Sequence, residues 1–346
     1  MPSTGMMEFN MGDITKNNKK IFSEVLKNLA EVGVKRGFIR SYVLPDWWEE
    51  SILSSPSGAE LGLTYISSFF NIPVTRLLEN QDLSTQGIVA VSYKKRADTS
   101  EDSLHKATLL GLWVARLVGT ACKIPYSSIP KDAREVYAAL SSKTKQGVGF
   151  IDLIDFAWMH GVPVVRISPP ATGNHPDGLC TIVEGRPVIV LMKKHDSCAW
   201  QEFILAHELG HIACGHIFTA INKTMIDGVQ SFASREKTED EANKWGCTAL
   251  SDNPLTDMNA VWQKRPSSGK DLSLKAFREA GRRNIDPGFL ILNYARGVND
   301  FRLGNSALMH VDDKNAFSFL DGALKKYIAE DDLSEENWAR LAKLQS

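Results

Sequence analysis

The sequence has no long apolar run and no excess of charge of either sign, and each absence excludes a class of protein. Acidic and basic residues nearly cancel over the 346 residues, which leaves a formal net charge of −1. Proteins that bind nucleic acids or anionic membranes through their net charge carry an excess of basic residues. This chain has no such excess, so neither is expected as a direct partner. The most apolar stretch, Leu109 to Cys122, contains Arg116 and is too short to cross a bilayer.

Cysteine is scarce and scattered, and the first residues do not have the pattern of a secretion signal. Five cysteines form an odd number without paired spacing, which argues against a disulfide framework. Met1 to Asn10 lack the basic and then apolar order of a secretory signal peptide. We therefore expect reduced thiols and a cytoplasmic location. The cysteines are Cys122, Cys180, Cys198, Cys214 and Cys247.

What the sequence does contain is an H-E-x-x-H motif at residues 207–211, inside an apolar segment without proline. Residues four apart lie on one face of a helix, so His207 and His211 can bind one Zn²⁺ ion. Glu208 is then placed to act as the general base that activates a water molecule. The motif predicts one zinc ion per chain, and a third protein ligand would leave one position open for catalysis.

The third ligand is expected from a second helix that begins near Thr238. Glu239 and Asn243 are four residues apart and share a face of that helix. Glu239 can therefore bind the metal while the side-chain carbonyl of Asn243 orients a ligand imidazole. Glu241 stays open as the alternative third ligand, because helix boundaries inferred from sequence carry errors of about two residues or more. Carboxylates at a helix start also complement the helix dipole, and this structural role is compatible with either choice.

Two other kinds of zinc site would need different residues around the motif. A metzincin has glycine at position 214 and histidine at position 217, where this chain has Cys214 and Ile217. His216 falls on a different face if the helix continues, so we expect it to be a surface or capping residue. A thiolate from Cys214 or Cys247 would make the zinc site structural, and this alternative remains open.

The pattern around the motif predicts an α+β fold. Val162 to Ile167 form a β-branched run, and the stretches Leu179–Val183 and Pro187–Met192 flank a turn at residues 184–186. The latter two predict a β-hairpin that leads directly to the motif helix. Apolar residues at helical spacing dominate elsewhere. We therefore predict a mostly helical chain with a short β-sheet packed on the H-E-x-x-H helix.

Changes in pattern divide the chain into a helical N-terminal region (1–148), a zincin-like metallopeptidase domain (149–254) and a helical C-terminal region (255–346). Gly62 to Leu78 have the form helix, turn, helix, similar to part of a repressor-type helix-turn-helix. Basic and acidic residues number eleven each over Met1–Asp98. No set of basic or amide side chains is placed to contact base edges, so we do not expect direct DNA binding.

The motif and its surroundings resemble the ImmA/IrrE family of metallopeptidases. That family has an H-E-L-G-H helix followed by an E-x-E-A-N helix, which this chain matches at Phe203–His211 and Glu239–Asn243, with a strand hairpin before them. The resemblance implies a compact gluzincin-like fold and one zinc ion. It also implies ligand roles for His207, His211 and Glu239 and a base role for Glu208. The chain departs from the family at Trp245-Gly246 and at residues 250–252, which affects the expected helix packing and substrate groove.

The resemblance further implies an activity and a partner. Members of the family cleave regulatory proteins in the cytoplasm, often a helix-turn-helix (XRE-type) repressor of a phage, a mobile element or a stress response. We accordingly expect a zinc-dependent endopeptidase whose protein substrate is such a repressor. Two alternatives stay open: a non-catalytic zinc-containing regulator, and a toxin-like partner that binds a repressor or an antitoxin.

Overall fold

The computed structural model describes residues 18–79, 101–143, 147–169, 175–219, 224–226, 237–253, 262, 265–311 and 315–346. Contacts divide the chain into two compact units, Met1–Lys94 and Lys95–Ser346, and each is described by itself. Within these ranges, no helix combines the length and the apolar character that crossing a membrane requires.

The first unit is helical where it is described, and its core is aromatic. Trp48 is buried and stacks on Phe22 with ring centroids 6.0 Å apart. Both rings pack against Gly62, where an added Cβ atom would lie within 2.7 Å of each ring. The elements are α1 (Asn18–Glu31), a turn at Arg36–Phe38 that continues as a π-helix (Ile39–Val43), a 3-10 helix (Glu50–Ser54), α2 (Pro56–Phe70) and α3 (Val74–Leu78).

Local sequence signals set the ends of α2. The Ser55 hydroxyl accepts a hydrogen bond from the Gly58 backbone at 3.1 Å, and Pro56 occupies the first helical position. Asn71 ends the helix in the left-handed region at φ 55°. The short helix α3 follows at once, so the predicted succession of helix, turn and helix is present.

Within the part of the chain that the structure describes, the second unit combines eleven α-helices and a 3-10 turn at Glu330–Asp332 with four strands. Those before the sheet are α4 (Glu101–Ala121), α5 (Ala133–Ser141) and α6 (Phe150–Met159). The strands are β1 (Val164–Arg166), β2 (Gly178–Val183), β3 (Arg186–Leu191) and β4 (Thr224–Ile226). Helices α7 (Cys198–Ala213) and α8 (His216–Thr219) precede β4, and α9 (Lys237–Ser251) follows it. The remaining helices are α10 (Gly269–Arg283), α11 (Pro287–Gly297), α12 (Phe301–Leu308), α13 (Ala316–Tyr327) and α14 (Glu335–Gln345).

The four strands form one mixed sheet in the order β1-β3-β2-β4. Strands β2 and β3 are the predicted hairpin, and Glu184 and Gly185 join them with positive φ angles of 48° and 87°. Two successive positive φ values are what a type I′ turn needs, and that turn matches the twist of paired strands. Strand β1 runs parallel to β3, and β4 runs antiparallel to β2. The chain is therefore α+β and mostly helical with a small sheet, as predicted.

Helices cover both faces of this sheet. Helix α4 packs on one face, where a Cβ atom on Gly119 would lie 2.9 Å from the side chains of Val183 and Val188. Helix α7 packs on the opposite face, where Gly178 lies against Glu208. Alternate residues of a strand point to opposite sides of the sheet. Gly178 of β2 therefore faces α7, and Val183 of β2 faces α4.

The C-terminal helices belong to this same unit. Helix α11 packs on α7, and α13 packs on both α6 and β1. Arg166 at the end of β1 donates two hydrogen bonds to the Asp321 carboxylate, at 2.8 and 2.7 Å, and a third to the Gln345 carbonyl. The backbone of Ser168 donates to the Leu344 carbonyl at 2.6 Å. Residues 321–345 are thereby attached to the edge strand of the sheet.

The division by contacts does not coincide with the boundaries predicted at 148/149 and 254/255. Helix α4 lies before the first of these boundaries, yet it packs on β1, β2 and β3. Helices α11 and α13 lie beyond the second boundary, yet they pack on α7 and β1. Such contacts join segments far apart in the chain, and local pattern does not report them.

Candidate metal centre

Helix α7 carries the H-E-x-x-H motif and is buried on every side. Its N-cap is Ser197, whose hydroxyl accepts a hydrogen bond from the Trp200 backbone at 3.4 Å. Every residue from Ala199 to Ile212 is buried, since the sheet, α6, α9 and α11 all pack on this helix. A helix that is enclosed in this way fixes the direction of each side chain.

Helices α7 and α9 cross at very short range. A Cβ atom on Gly210 of α7 would lie 2.6 Å from the Ala242 carbonyl oxygen of α9. One turn away, a Cβ atom on Gly246 of α9 would lie 3.1 Å from the Ala206 carbonyl group of α7. Because a glycine faces an alanine at both points, the two backbones can approach closely. This approach brings Glu239 of α9 next to the two histidines of α7.

Three side chains converge between these helices. The Nε2 atoms of His207 and His211 lie 3.0 Å apart, and the Glu239 carboxylate lies 3.5 Å from the first and 3.8 Å from the second. All three residues are buried, and this is a group that could hold a metal ion. Neither Cys214 nor Cys247 joins it among the residues that the structure describes. Glu239, rather than Glu241, is the carboxylate that meets the histidines.

Asn243 lies behind His207, one turn along α9 from Glu239. Its side-chain oxygen is 3.1 Å from Nδ1 of His207, and both residues are buried. A carbonyl oxygen only accepts, so Nδ1 of His207 carries the hydrogen and donates it. In the neutral imidazole, Nε2 then presents a lone pair to His211 and Glu239.

His216 lies behind His211, and the expectation that it is a surface or capping residue is wrong. It is buried, and its Nδ1 atom lies 3.0 Å from Nδ1 of His211. Its Nε2 atom lies 3.0 Å from the Glu241 carboxylate. This hydrogen bond is the largest influence on the Glu241 carboxyl and lowers its pKa from the ordinary value. Glu241 therefore serves His216 and not the group itself.

A break in α7 explains why helical phase failed for His216. The helix ends at Ala213, and Gly215 follows with a φ of +80°. A glycine in this conformation just beyond a helix ends it and turns the chain. His216 therefore folds back onto His211 instead of continuing around the helix. Gly215 in the sequence was the signal that could have placed it.

The donor atoms suit a cation. A carboxylate only accepts, so His216 donates from Nε2 to Glu241 and, when neutral, accepts at Nδ1 from His211. His211 then presents an Nε2 lone pair, as His207 does. Two lone pairs and a carboxylate that face one another are unfavourable unless a cation lies among them. Nitrogens bound tetrahedrally at the usual zinc distance lie roughly 3.3 Å apart, close to the separations seen here.

Glu208 lies between α7 and the first residues of β2. A Cβ atom on Gly178 would lie 2.4 Å from Oε1 of Glu208, so the strand backbone passes directly over the carboxylate. Cys180 is two residues further along the same face of β2. Burial raises the pKa of the Cys180 thiol well above its ordinary value, and the charge of Glu208 raises it further. The Glu208 carboxylate thus lies beside a strand of the sheet.

Comparison with known proteins does not identify a family for this chain. No known protein family matches this chain, and no curated protein matches it either.

Proposed function

We propose that this protein is a zinc-dependent endopeptidase of gluzincin-like fold that cleaves a helix-turn-helix repressor. The observation that carries the proposal is the convergence of His207, His211 and Glu239, with Glu208 following His207 in the same helix. Imidazole and carboxylate donors suit zinc, and three protein ligands leave a position open. The motif resemblance to the ImmA/IrrE metallopeptidases supports the choice of substrate.

The residues divide the work of hydrolysis among them. A zinc ion held by His207, His211 and Glu239 would polarise the scissile carbonyl and make water easier to deprotonate. Glu208 takes the proton from the attacking water and returns it to the departing amine. Asn243 holds His207 with its Nε2 lone pair towards the group. The β2 backbone at Gly178 limits the directions in which the Glu208 carboxylate can point.

The closed state of the site bears on the kind of substrate. Glu208 has no exposed surface, and His207 and His211 are each 1% exposed. A peptide bond has to come within hydrogen-bond reach of Glu208, so the surrounding chain must move when substrate binds. A folded partner can supply binding energy for this movement from contacts outside the site, whereas a short peptide makes few such contacts.

Incubation with purified helix-turn-helix repressors tests the proposed activity. We expect cleavage at a defined bond, loss of cleavage on chelation and its return with added zinc, with short unstructured peptides cut more slowly than the folded repressor. Mass spectrometry of the products identifies the bond. Zinc binding together with tight repressor binding and no cleavage would favour the non-catalytic regulator or the toxin-like partner. A chain that binds no metal would overturn both the metal site and the peptidase.

The ligand set has its own test in Glu239. The Glu239→Gln variant should lose zinc affinity by more than the roughly 10- to 100-fold that a neighbouring hydrogen-bonding residue contributes, because a charged ligand is replaced by a neutral one. Competition with a chromophoric chelator measures the Kd. Asp240→Asn is the matched control, since it removes the same charge from the same turn of α9 without touching the group. Equal zinc affinity in the two variants would remove Glu239 from the ligand set.

A further inference from the structure

A chain of two hydrogen bonds leads away from His211 towards the surface. It runs from Nδ1 of His211 to Nδ1 of His216 and from Nε2 of His216 to the Glu241 carboxylate, and each step is 3.0 Å. His216 is buried, whereas the Glu241 side chain is 43% exposed. Glu241 also lines an open pocket of about 380 Å³ together with Lys131, Lys244 and Cys214. The outer end of the chain of bonds therefore meets solvent, and its inner end meets the metal-binding group.

The donor and acceptor roles in these two hydrogen bonds follow from the Glu241 end. The carboxylate of Glu241 cannot donate, so His216 donates to it and, as a neutral imidazole, accepts from His211. His211 is then fixed in the tautomer that presents Nε2 to His207 and Glu239. The two metal-binding histidines are thus supported differently. His207 donates to the neutral amide of Asn243, while His211 donates to an imidazole that is itself bonded to a carboxylate.

Helix α9 supplies both carboxylates, Glu239 and Glu241, from its first turns. Glu239 is buried and turned to the histidines, and Glu241, two residues on, is turned to His216. Residues two apart on a helix face different directions. The orientation of α9 about its axis therefore sets both contacts together. It turns Glu239 to the two metal-binding histidines and Glu241 to His216.

We propose that His216 and Glu241 are positioning residues for the metal centre: they hold the His211 ring and its tautomer so that Nε2 faces the bound ion. This inference rests on the proposed metal site. A residue that supports a metal-binding imidazole in this way contributes roughly 10- to 100-fold to metal affinity. It also restricts the orientation of the ring, which a residue that only fills space does not do.

Substitutions at His216 separate support of His211 from packing. His216→Phe keeps a ring of similar size but accepts no hydrogen bond, and we expect it to weaken zinc binding by roughly 10- to 100-fold. His216→Asn places an acceptor oxygen where Nδ1 stood, and it should restore most of that affinity. The second measurement is the visible ligand-field spectrum of the cobalt-substituted protein, which should change in the Phe variant and return towards wild type in the Asn variant. Thermal unfolding of the metal-free variants reports whether each one folds.

Substitutions at Glu241 test the outer end of the chain. Glu241→Leu removes the acceptor and should weaken zinc binding, whereas Glu241→Gln keeps an oxygen that accepts from His216 and should lose less affinity. Asp240→Asn again controls for the charge at the start of α9. Wild-type zinc affinity and an unchanged cobalt spectrum in both His216→Phe and Glu241→Leu would overturn the positioning role while leaving the proposed function intact. Failure of the wild-type protein to bind zinc or cobalt would instead overturn the metal site on which the inference rests.

Discussion

Replacing Glu208 by glutamine should abolish peptide cleavage while the metal stays bound. The amide keeps the size of the carboxylate but cannot take a proton from water, and removal of a general base costs roughly 100- to 10,000-fold in rate. Glu208 is fully buried beside β2. Single-turnover cleavage of the repressor and a chelator competition on the same preparation measure the two quantities together.

The cleavage rate and the zinc affinity of this variant together distinguish a role in proton transfer from a role in the fold of the site. A zinc Kd close to that of the wild type, with cleavage lost, assigns Glu208 to proton transfer. Cleavage at the wild-type rate would rule out the proposed mechanism. Loss of zinc and activity together would mean that Glu208 supports the fold of the site, and thermal unfolding of the metal-free variant would then show a matching loss of stability.

Replacing Gly210 by alanine should separate the two helices that form the metal centre. The added Cβ atom would lie 2.6 Å from the Ala242 carbonyl oxygen and 2.9 Å from the Ala242 Cα atom, and backbone atoms cannot rotate away as a side chain can. Overpacking of this kind costs about 1–3 kcal/mol. Moving α9 away also moves Glu239 from His207 and His211, so zinc affinity should fall as well. Chemical denaturation of the metal-free protein and chelator competition measure the two effects.

A matched glycine elsewhere provides the control for this substitution. Gly281 lies inside α10, and no atom outside its chain neighbours and the local helix backbone lies within 4 Å of the position of its added Cβ. The same change there removes a flexible residue from a helix without a clash, so Gly281→Ala should stabilise the protein by up to about 1 kcal/mol. If Gly210→Ala were as stable as Gly281→Ala and bound zinc normally, the close crossing of α7 and α9 would not be what positions Glu239.

The parts of the site that the sequence predicted are those that depend on one helix at a time. His207 and His211 are four residues apart, and so are Glu239 and Asn243, which places each pair on a shared face before any packing is known. The hairpin of β2 and β3 was also predictable from local sequence, because a short turn joins two β-rich runs.

The remaining features depend on contacts between distant segments. The choice between Glu239 and Glu241 follows from the rotation of α9, which the contact of Ala242 with Gly210 determines. The position of His216 follows from the end of α7 at Gly215, where periodicity no longer applies. The parallel pairing of β1 with β3 and the packing of α4 on the sheet join parts of the chain that no local pattern connects. Strand β4 has only three residues, too few to show alternation.

The attachment of Arg166 to Asp321 and Gln345 has a consequence for the order of folding. Arg166 and Gln345 are 179 residues apart, and closing so long a loop costs entropy before the contact contributes any stability. During synthesis, β1 emerges from the ribosome well before its partners in α13 and α14 exist. These contacts at the end of β1 therefore form late, after nearly the whole chain has been made.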